Sequence, residues 1–403
     1  MTNVLLLFGL FPDDIEIRRY SKQGIQNAAN SLQWSLVKGL SEIYQDIRVL
    51  NFPYIGSYPA LYKKLVYKSS PELPLANNGV LTDMSFINLP LIKWLDIYRK
   101  AKAGLEKWAD STKGDKTVII YSLNPGFLKA AISVKKKYPD LRICLVVTDL
   151  PEGMSSRNDL VYVKVKEVYI SLLNKTYKDI DCFVFLSELM SEYFNADKSN
   201  YTIVEGIYDN SNEDNVRSTK TDSLKRIVYC GTLDRRYGIM NLVDAFLETK
   251  NTDYRLILCG SGSAHNDIIN AASNDSRILY KGQISHNEVI KLISTADLLV
   301  NPRTSEGEFT KYSFPSKTME YLASGVPTLL YKLEGIPEEY YNYCYAIDKF
   351  ESIEQLTSEI DRIFELPESE RMNLGKSARN FIIEHKNPVA QCTKIKDLIE
   401  KYN

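Results

Sequence analysis

Short, unbroken apolar runs alternate along the chain with longer stretches in which apolar residues recur every three or four positions. NVLLLFGL at the start, DIRVLNFP, KTVIIYSL, LRICLVVTD and DCFVFLS are the runs of the first half. Between the first two, GIQNAANSLQWSLVKGLSEIY sets Ala28, Leu32, Leu36 and Leu40 at helical spacing. Runs that are continuous rather than alternating predict a parallel sheet covered on both faces. The rhythm breaks over residues 55–92, rich in Tyr, Pro, Leu and Asn and ending in FINLPLIKWL. This reads as an excursion of loops and short helices that lines a cleft or touches a lipid surface. The polar segment 206–223, GIYDNSNEDNVRSTKTDS, reads as a linker. After it the rhythm restarts with KRIVYCGTL, YRLILCGSG, SRILYKGQI, ADLLVNPR and VPTLLYKL. The pattern predicts an α/β protein with two Rossmann-like parallel-sheet domains facing across a cleft. Their expected extents are 1–205 and 206–384, with a C-terminal helix at about 385–403, broken at Pro388, packing back on the first.

Length agrees, since 403 residues exceed what one core holds. The net charge of −1 argues against a nucleic-acid partner. It hides an asymmetry: residues 1–200 carry 26 Lys+Arg against 21 Asp+Glu, the rest 24 against 30. A basic first half suits contact with an anionic membrane surface, although even scatter accounts for the numbers equally well. Six cysteines show no CxxC, and four lie in or beside apolar runs, so they read as buried, reduced thiols of a cytoplasmic protein. The start lacks the basic region of a signal peptide, and no apolar run reaches the roughly 18–20 residues of a membrane span.

The candidate chemistry lies where strands end, since open α/β folds bind ligands at the carboxyl ends of their strands. In CGTLDRRYG, Gly231 allows close backbone approach, and Arg235 and Arg236 offer forked donors to a diphosphate. In CGSGSAH, Gly260 opens a strand-to-helix turn suited to phosphate; the third glycine of a dinucleotide fingerprint is missing. In KGQISHNEVI, main-chain groups near Ile284 could read a base edge, and His286 reads as a helix-start residue. In SFPSKTMEYLASG a helix is expected from about Pro315 to Gly325. Its start exposes N–H groups to a phosphate. Glu320 could accept both hydroxyls of a ribose, and Met319, Leu322 and Ala323 form the apolar face. In VVTDLPEGM, Asp149 stands at a first-half strand end as a candidate base or hydroxyl acceptor. Each stretch also reads as an ordinary strand exit, helix cap or solvated face, and pattern alone does not choose.

FPSKTMEYLASGVPTL, CGTLDRRYGIMNLVDAF, LILCGSG and KGQISHNEVIKLISTADLLVNP, in order and at normal spacing, resemble the nucleotide-sugar domain of family 4 retaining glycosyltransferases. The likeness is to the bacterial branch that builds capsule, exopolysaccharide or lipopolysaccharide. It covers residues 225–335 strongly and 1–205 more weakly. It implies the GT-B fold, with donor in the second domain and acceptor in the first. It implies retaining transfer from a nucleoside-diphosphate sugar, UDP by family habit, to a hydroxyl of a glycan or polyprenyl-linked acceptor. No metal or other cofactor is expected, and the place of action is the inner face of the plasma membrane. Glu320 matches the ribose-holding second glutamate of the family's Glu-x7-Glu motif; eight residues back stands Tyr312, a departure, with Glu306 and Glu308 out of register. Main-chain groups of Tyr312, Ser313, Phe314, Pro315 and Ser316 take sugar and phosphate by the same resemblance. Arg235, Arg236 and Lys317 match the diphosphate-binding region, and Gly231, Gly260 and Ile284 line the nucleotide. Gly24 answers to the acceptor-side glycine loop, and Asp149 to the position of a family histidine. A non-catalytic subunit and a nucleotide-sugar epimerase are further readings on the same fold.

Overall fold

The computed structural model describes residues 2–150, 176–210, 222–305 and 310–401. Residues 211–221 of the polar segment, and Glu306 and Glu308, lie outside them. The chain divides into two compact units, Met1–Ile207 with Asn387–Asn403, and Tyr208–Lys386.

Unit 1 is built on an eight-stranded sheet. Its strands are β1 (Asn3–Phe8), β2 (Arg48–Asn51), β4 (Leu73–Pro74), β5 (Val80–Asp83), β7 (Lys116–Tyr121), β8 (Leu141–Val147), β9 (Cys182–Phe185) and β10 (Tyr201–Ile203). They run in the order β10-β9-β8-β7-β1-β2-β5-β4, all parallel except β4 against β5. The central strands β1, β7 and β8 are buried almost throughout, which is why they read as unbroken apolar runs. The helix Asn27–Ile43 buries Leu36, Val37 and Leu40 on one face. The helix Pro388–Glu400 crosses it where Gly39 sits: a Cβ there would lie 2.2 Å from the Pro388 carbonyl oxygen. Cys392, Ile395, Leu398 and Ile399 thereby join the core of unit 1.

The excursion 55–92 holds loops and short strands, not the expected short helices: no helix begins before its last residue, Ile92. Two-residue strands β3 (Val66–Tyr67) and β6 (Phe86–Ile87) form an antiparallel pair, and β5 enters the main sheet beside β2. VLTD does not look like a buried strand because it ends in Asp83. That carboxylate accepts from Asn51 Nδ2 (2.9 Å), Tyr67 OH (2.7 Å) and the Ser70 amide (2.8 Å), so its burial is compensated.

Unit 2 carries a six-stranded parallel sheet of β11 (Lys225–Cys230), β12 (Tyr254–Cys259), β13 (Ile278–Tyr280), β14 (Leu298–Asn301), β15 (Thr328–Tyr331) and β16 (Tyr345–Ile347), ordered β13-β12-β11-β14-β15-β16. The order reverses between β11 and β14, so the carboxyl ends of β11, β12, β13 and β14 surround a switch point, the ligand-binding place of such sheets.

Candidate functional site

In unit 2 the strand-end glycines stack backbone on backbone. The Gly231 amide donates to the Cys259 carbonyl (3.0 Å) and the Gly260 amide to the Gly282 carbonyl (2.8 Å). Gly260 has φ of 133°, and a Cβ on it would stand 1.8 Å from the Gly231 carbonyl oxygen, so no other residue fits. The loops beyond are laced by Leu233 N to Ser261 O and Ala264 N to Leu233 O, both 2.9 Å. Ile284 packs against the apolar cluster of Val228, Ile257 and Leu299, and Ser285 caps the following helix, His286–Ser294, in a capping box with Glu288. His286 is the first residue of that helix.

The helix Ser316–Ala323 is fixed over these strand ends by residues the pattern did not single out. Thr318 accepts from Asn301 Nδ2 at the end of β14 (3.3 Å). Tyr321, fully buried, accepts from the Cys230 amide (2.8 Å) and donates to the Cys230 carbonyl (3.2 Å). Met319, Leu322 and Ala323 are buried as expected, and Gly325 ends the helix with φ of 76°. With Thr318 and Tyr321 held down, Lys317 and Glu320 are left half-buried and paired at 2.6 Å. Their charges are felt by the Cys230 thiol, and that of Lys317 by the Cys259 thiol, which places the pair above β11 and β12. Pro315 gives this helix no side-chain cap, so its first N–H groups keep their capacity for an anion. Phe314 packs against Tyr340 with ring centroids 5.2 Å apart, and Tyr312 and Ser313 are half-buried in the turn before it. Ser316 is exposed.

Arg235 and Arg236 are not aimed as a joint fork. Arg235 pairs with Asp267, and Arg236 with Asp234 at 2.9 Å, its side chain 71% exposed. Arg236 holds the Asp234 carboxyl down to about 2. A cation that sequence reasoning missed lies deeper. Arg303, two residues past β14, donates to Ser313 Oγ (3.0 Å) and stacks 5.1 Å over the Tyr237 ring; burial lowers its pKa. NPR after an apolar run was the available signal. Among the described residues no three His, Cys, Asp or Glu gather as metal ligands.

In unit 1 a cavity of about 400 Å³ opens at the carboxyl ends of β2, β7 and β8, beside the segment Ser21–Ala29. Gly24 and Asp149, far apart in sequence, both line it. Asp149 is open to the cavity yet surrounded closely enough that burial raises its carboxyl pKa, with Thr148 Oγ1 3.4 Å away. Tyr54 walls the cavity and donates to the Tyr121 carbonyl (2.6 Å). A Cβ on Gly24 would meet nothing within 4 Å; the glycine that sterics demand is Gly9, directly after β1, where a Cβ would stand 2.3 Å from the Tyr54 ring.

Residues 210–381 match the family "Glycosyl transferases group 1". No curated sequence matches the chain significantly. The fold is shared with sucrose-phosphate synthase from Thermosynechococcus elongatus (TM-score 0.63, 14% identity, 99% of each chain covered). Anabaena HepE, solved in complex with UDP, gives 0.63 at 12% identity over 99% of this chain and 100% of that one. The lipopolysaccharide outer core galactosyltransferase WaaB gives 0.61 at 13% over 100% of each. The group 1 domain spanning nearly all of unit 2, on two Rossmann-like units of GT-B kind, makes this chain a GT-B glycosyltransferase.

Proposed function

We propose that the chain is a retaining glycosyltransferase of family 4 that moves a sugar from a nucleoside-diphosphate donor to a hydroxyl acceptor in surface polysaccharide synthesis. The observation that carries the donor half is the Lys317–Glu320 pair on an uncapped helix start, held above the glycine-lined ends of β11 and β12. Glu320 takes the ribose hydroxyls. Lys317, the first turn of its helix, and Arg235 and Arg236 meet the charge that develops on the departing diphosphate, electrostatics that need no metal. Main-chain groups of Tyr312–Ser316 hold the sugar and phosphate. UDP is the expected nucleotide, in keeping with the HepE structure solved with UDP. The acceptor half is assigned to the cavity of unit 1, where Asp149, with its raised pKa, accepts the attacking hydroxyl's proton or orients it.

A membrane-side acceptor is favoured by a second feature. Leu65, Val66, Ile87, Leu91, Ile92, Trp94 and Leu95 are all exposed, Leu91 at 87%, and Val66 and Ile87 are cross-strand partners. Lys63 and Lys64 directly precede Leu65 in the chain, and Lys129 lies over the Trp94 ring. This is the composition of a peripheral contact with an anionic leaflet. No described helix is long and apolar enough to cross a membrane.

The test is calorimetry with UDP, ADP and GDP followed by turnover of the matching sugar donors. UDP binding and sugar transfer with retained anomeric configuration are expected. Absence of nucleotide binding would point to a non-catalytic subunit, and release of an epimerised free sugar without acceptor to an epimerase.

A further inference from the structure

Among the described residues lining the unit 1 cavity, Lys93 is the one cation and Asp149 the one carboxylate. Lys93 sits in the first turn of the helix Ile92–Ser111, and its Nζ donates to the Ile55 carbonyl at 2.5 Å and lies 5.5 Å from the Phe86 ring centroid. That uses one of three ammonium donors. Among the described residues no carboxylate pairs with it. Asp96, one turn on, is taken by Lys100 (3.0 Å) and the Ile87 amide (2.9 Å). Burial pulls the Lys93 pKa down to about 8, the direction expected of an ammonium held in a partly dry wall without a counter-charge. Burial makes such a charge costly, and an incoming anion offsets that cost. The rest of the wall offers hydroxyl and amide groups, Ser122, Asn124, Thr148 and Gln26, of the kind that bind sugar hydroxyls. About 400 Å³ falls within the size range of small-ligand sites.

We propose that this cavity takes an acceptor bearing both hydroxyls and an oxyanion, a phosphate monoester or a carboxylate, and that Lys93 reads the oxyanion while Asp149 faces the hydroxyls. The proposal rests on the assignment of the acceptor to unit 1 made above. It separates acceptors by charge: a neutral sugar leaves the ammonium uncompensated, whereas a charged one neutralises it. The two oxyanion sources share one chemistry, and the probes below distinguish them.

The experiment is calorimetry on the full chain at pH 7, without donor, using glucose 6-phosphate, glucuronate and glucose. At least one charged sugar is expected to bind about 10-fold or more tightly than glucose, the worth of one charge-assisted contact. Preference for glucose 6-phosphate alone assigns the phosphate monoester, and for glucuronate alone the carboxylate. Lys93→Met should erase the preference, so that charged sugars bind no better than glucose to the same variant, while Lys93→Arg should keep most of it. Charged sugars that bind no better than glucose, or a preference that survives in K93M, overturn the proposal. Should K93M not fold, the wild-type comparison and K93R still decide. UDP titrated into the same preparations separates the two readings. Wild-type protein that binds no UDP fails the donor assignment whatever the charged sugars do, and K93M that keeps wild-type UDP affinity confines its effect to the cavity.

Discussion

Tyr321→Phe removes one oxygen atom and tests how the candidate donor helix is held. Strand β14 pairs with β11 only at Ile227 and Val228, so by Cys230 the ladder on that side has ended. The Tyr321 hydroxyl replaces it, accepting from the Cys230 amide at 2.8 Å and donating to the Cys230 carbonyl at 3.2 Å, in a place without solvent exposure. Phenylalanine leaves a buried N–H without its acceptor, a loss of about 1–3 kcal/mol. Taking about 2 kcal/mol, the melting midpoint of a unit of this size should fall by roughly 4–8 °C. Because the same bond sets the height of Lys317 and Glu320 above β11 and β12, UDP affinity or turnover should fall by about tenfold as well. Burial pushes the Tyr321 hydroxyl well above its ordinary pKa, so both losses should be flat across neutral pH. Tyr331→Phe is the matched control. Tyr331, on β15, buries a hydroxyl for which no protein partner occurs among the described residues, so its removal should be neutral or slightly stabilising. Scanning calorimetry with UDP titration measures both. A Y321F midpoint and UDP affinity equal to wild type, or a Y331F loss as large as that of Y321F, would refute the idea that Tyr321 is the anchor.

Four further outcomes are expected. Glu320→Ala and Arg236→Ala should each lower sugar transfer by about 10²–10³ in steady-state assays, and wild-type turnover in both would sink the donor-site assignment. Transfer should persist in excess EDTA; its loss, with recovery on adding a divalent cation, would contradict charge stabilisation by Lys317 and the arginines alone. Flotation with anionic vesicles should retain the wild-type chain at low salt, with Leu91→Glu combined with Trp94→Glu staying in the soluble fraction; equal flotation of both would disprove the contact. The last concerns stability against pH. Lys93 has its folded pKa lowered to about 8 from an ordinary 10.5, so between those values the unfolded chain binds more protons and wild-type stability rises with pH. The penalty is complete below about pH 8 and relieved towards 10.5, with Asp149, Tyr54 and Tyr121 the other titratable groups among the described residues of the cavity. Wild type should therefore gain on K93M in thermal melts as pH rises from 8 to 10, and a constant difference would contradict a desolvated ammonium there.

The ten apolar runs picked from the sequence are β1, β2, β7, β8, β9 and β11–β15, most of them because a strand buried on both faces has little choice but to be apolar throughout; the edge strand β13 leaves Leu279 exposed. The strands that escaped are those with another source of stability. β5 is hidden by Asp83, whose charge is acceptable only because Asn51, Tyr67 and Ser70 converge on it from elsewhere in the chain. β16 and β10 are three-residue edges too short to show a period. The excursion 55–92 was read as partly helical because its prolines and tyrosines carry no alternation, and its short strands β3 and β6 are fixed by pairing with each other rather than by local preference.

For the candidate site the division follows the range of the interaction. Gly260 was legible because a glycine at a strand end is a local backbone requirement, and Glu320 and Lys317 because they lie on a helix start that resembles the family's donor motif; their mutual i,i+3 ion pair is what the structure adds. Arg235 and Arg236 were legible as basic residues but not in their aim, since the aspartates that hold them, Asp267 and Asp234, are set by tertiary contact and by turn geometry. Tyr321, Arg303 and Lys93 were passed over for a common reason. Each looks in sequence like ordinary core or ordinary surface, and each acquires its character only from a backbone group or ring brought to it by the fold: Cys230, the Tyr237 ring, the Ile55 carbonyl. Of the three, Lys93 differs in kind. Tyr321 is satisfied at both its bonds, whereas Lys93 holds a charge in a cavity wall with one neutral acceptor and no described counter-ion. A group left uncompensated where the surrounding structure is otherwise well satisfied is better explained by what the cavity receives than by what the fold needs.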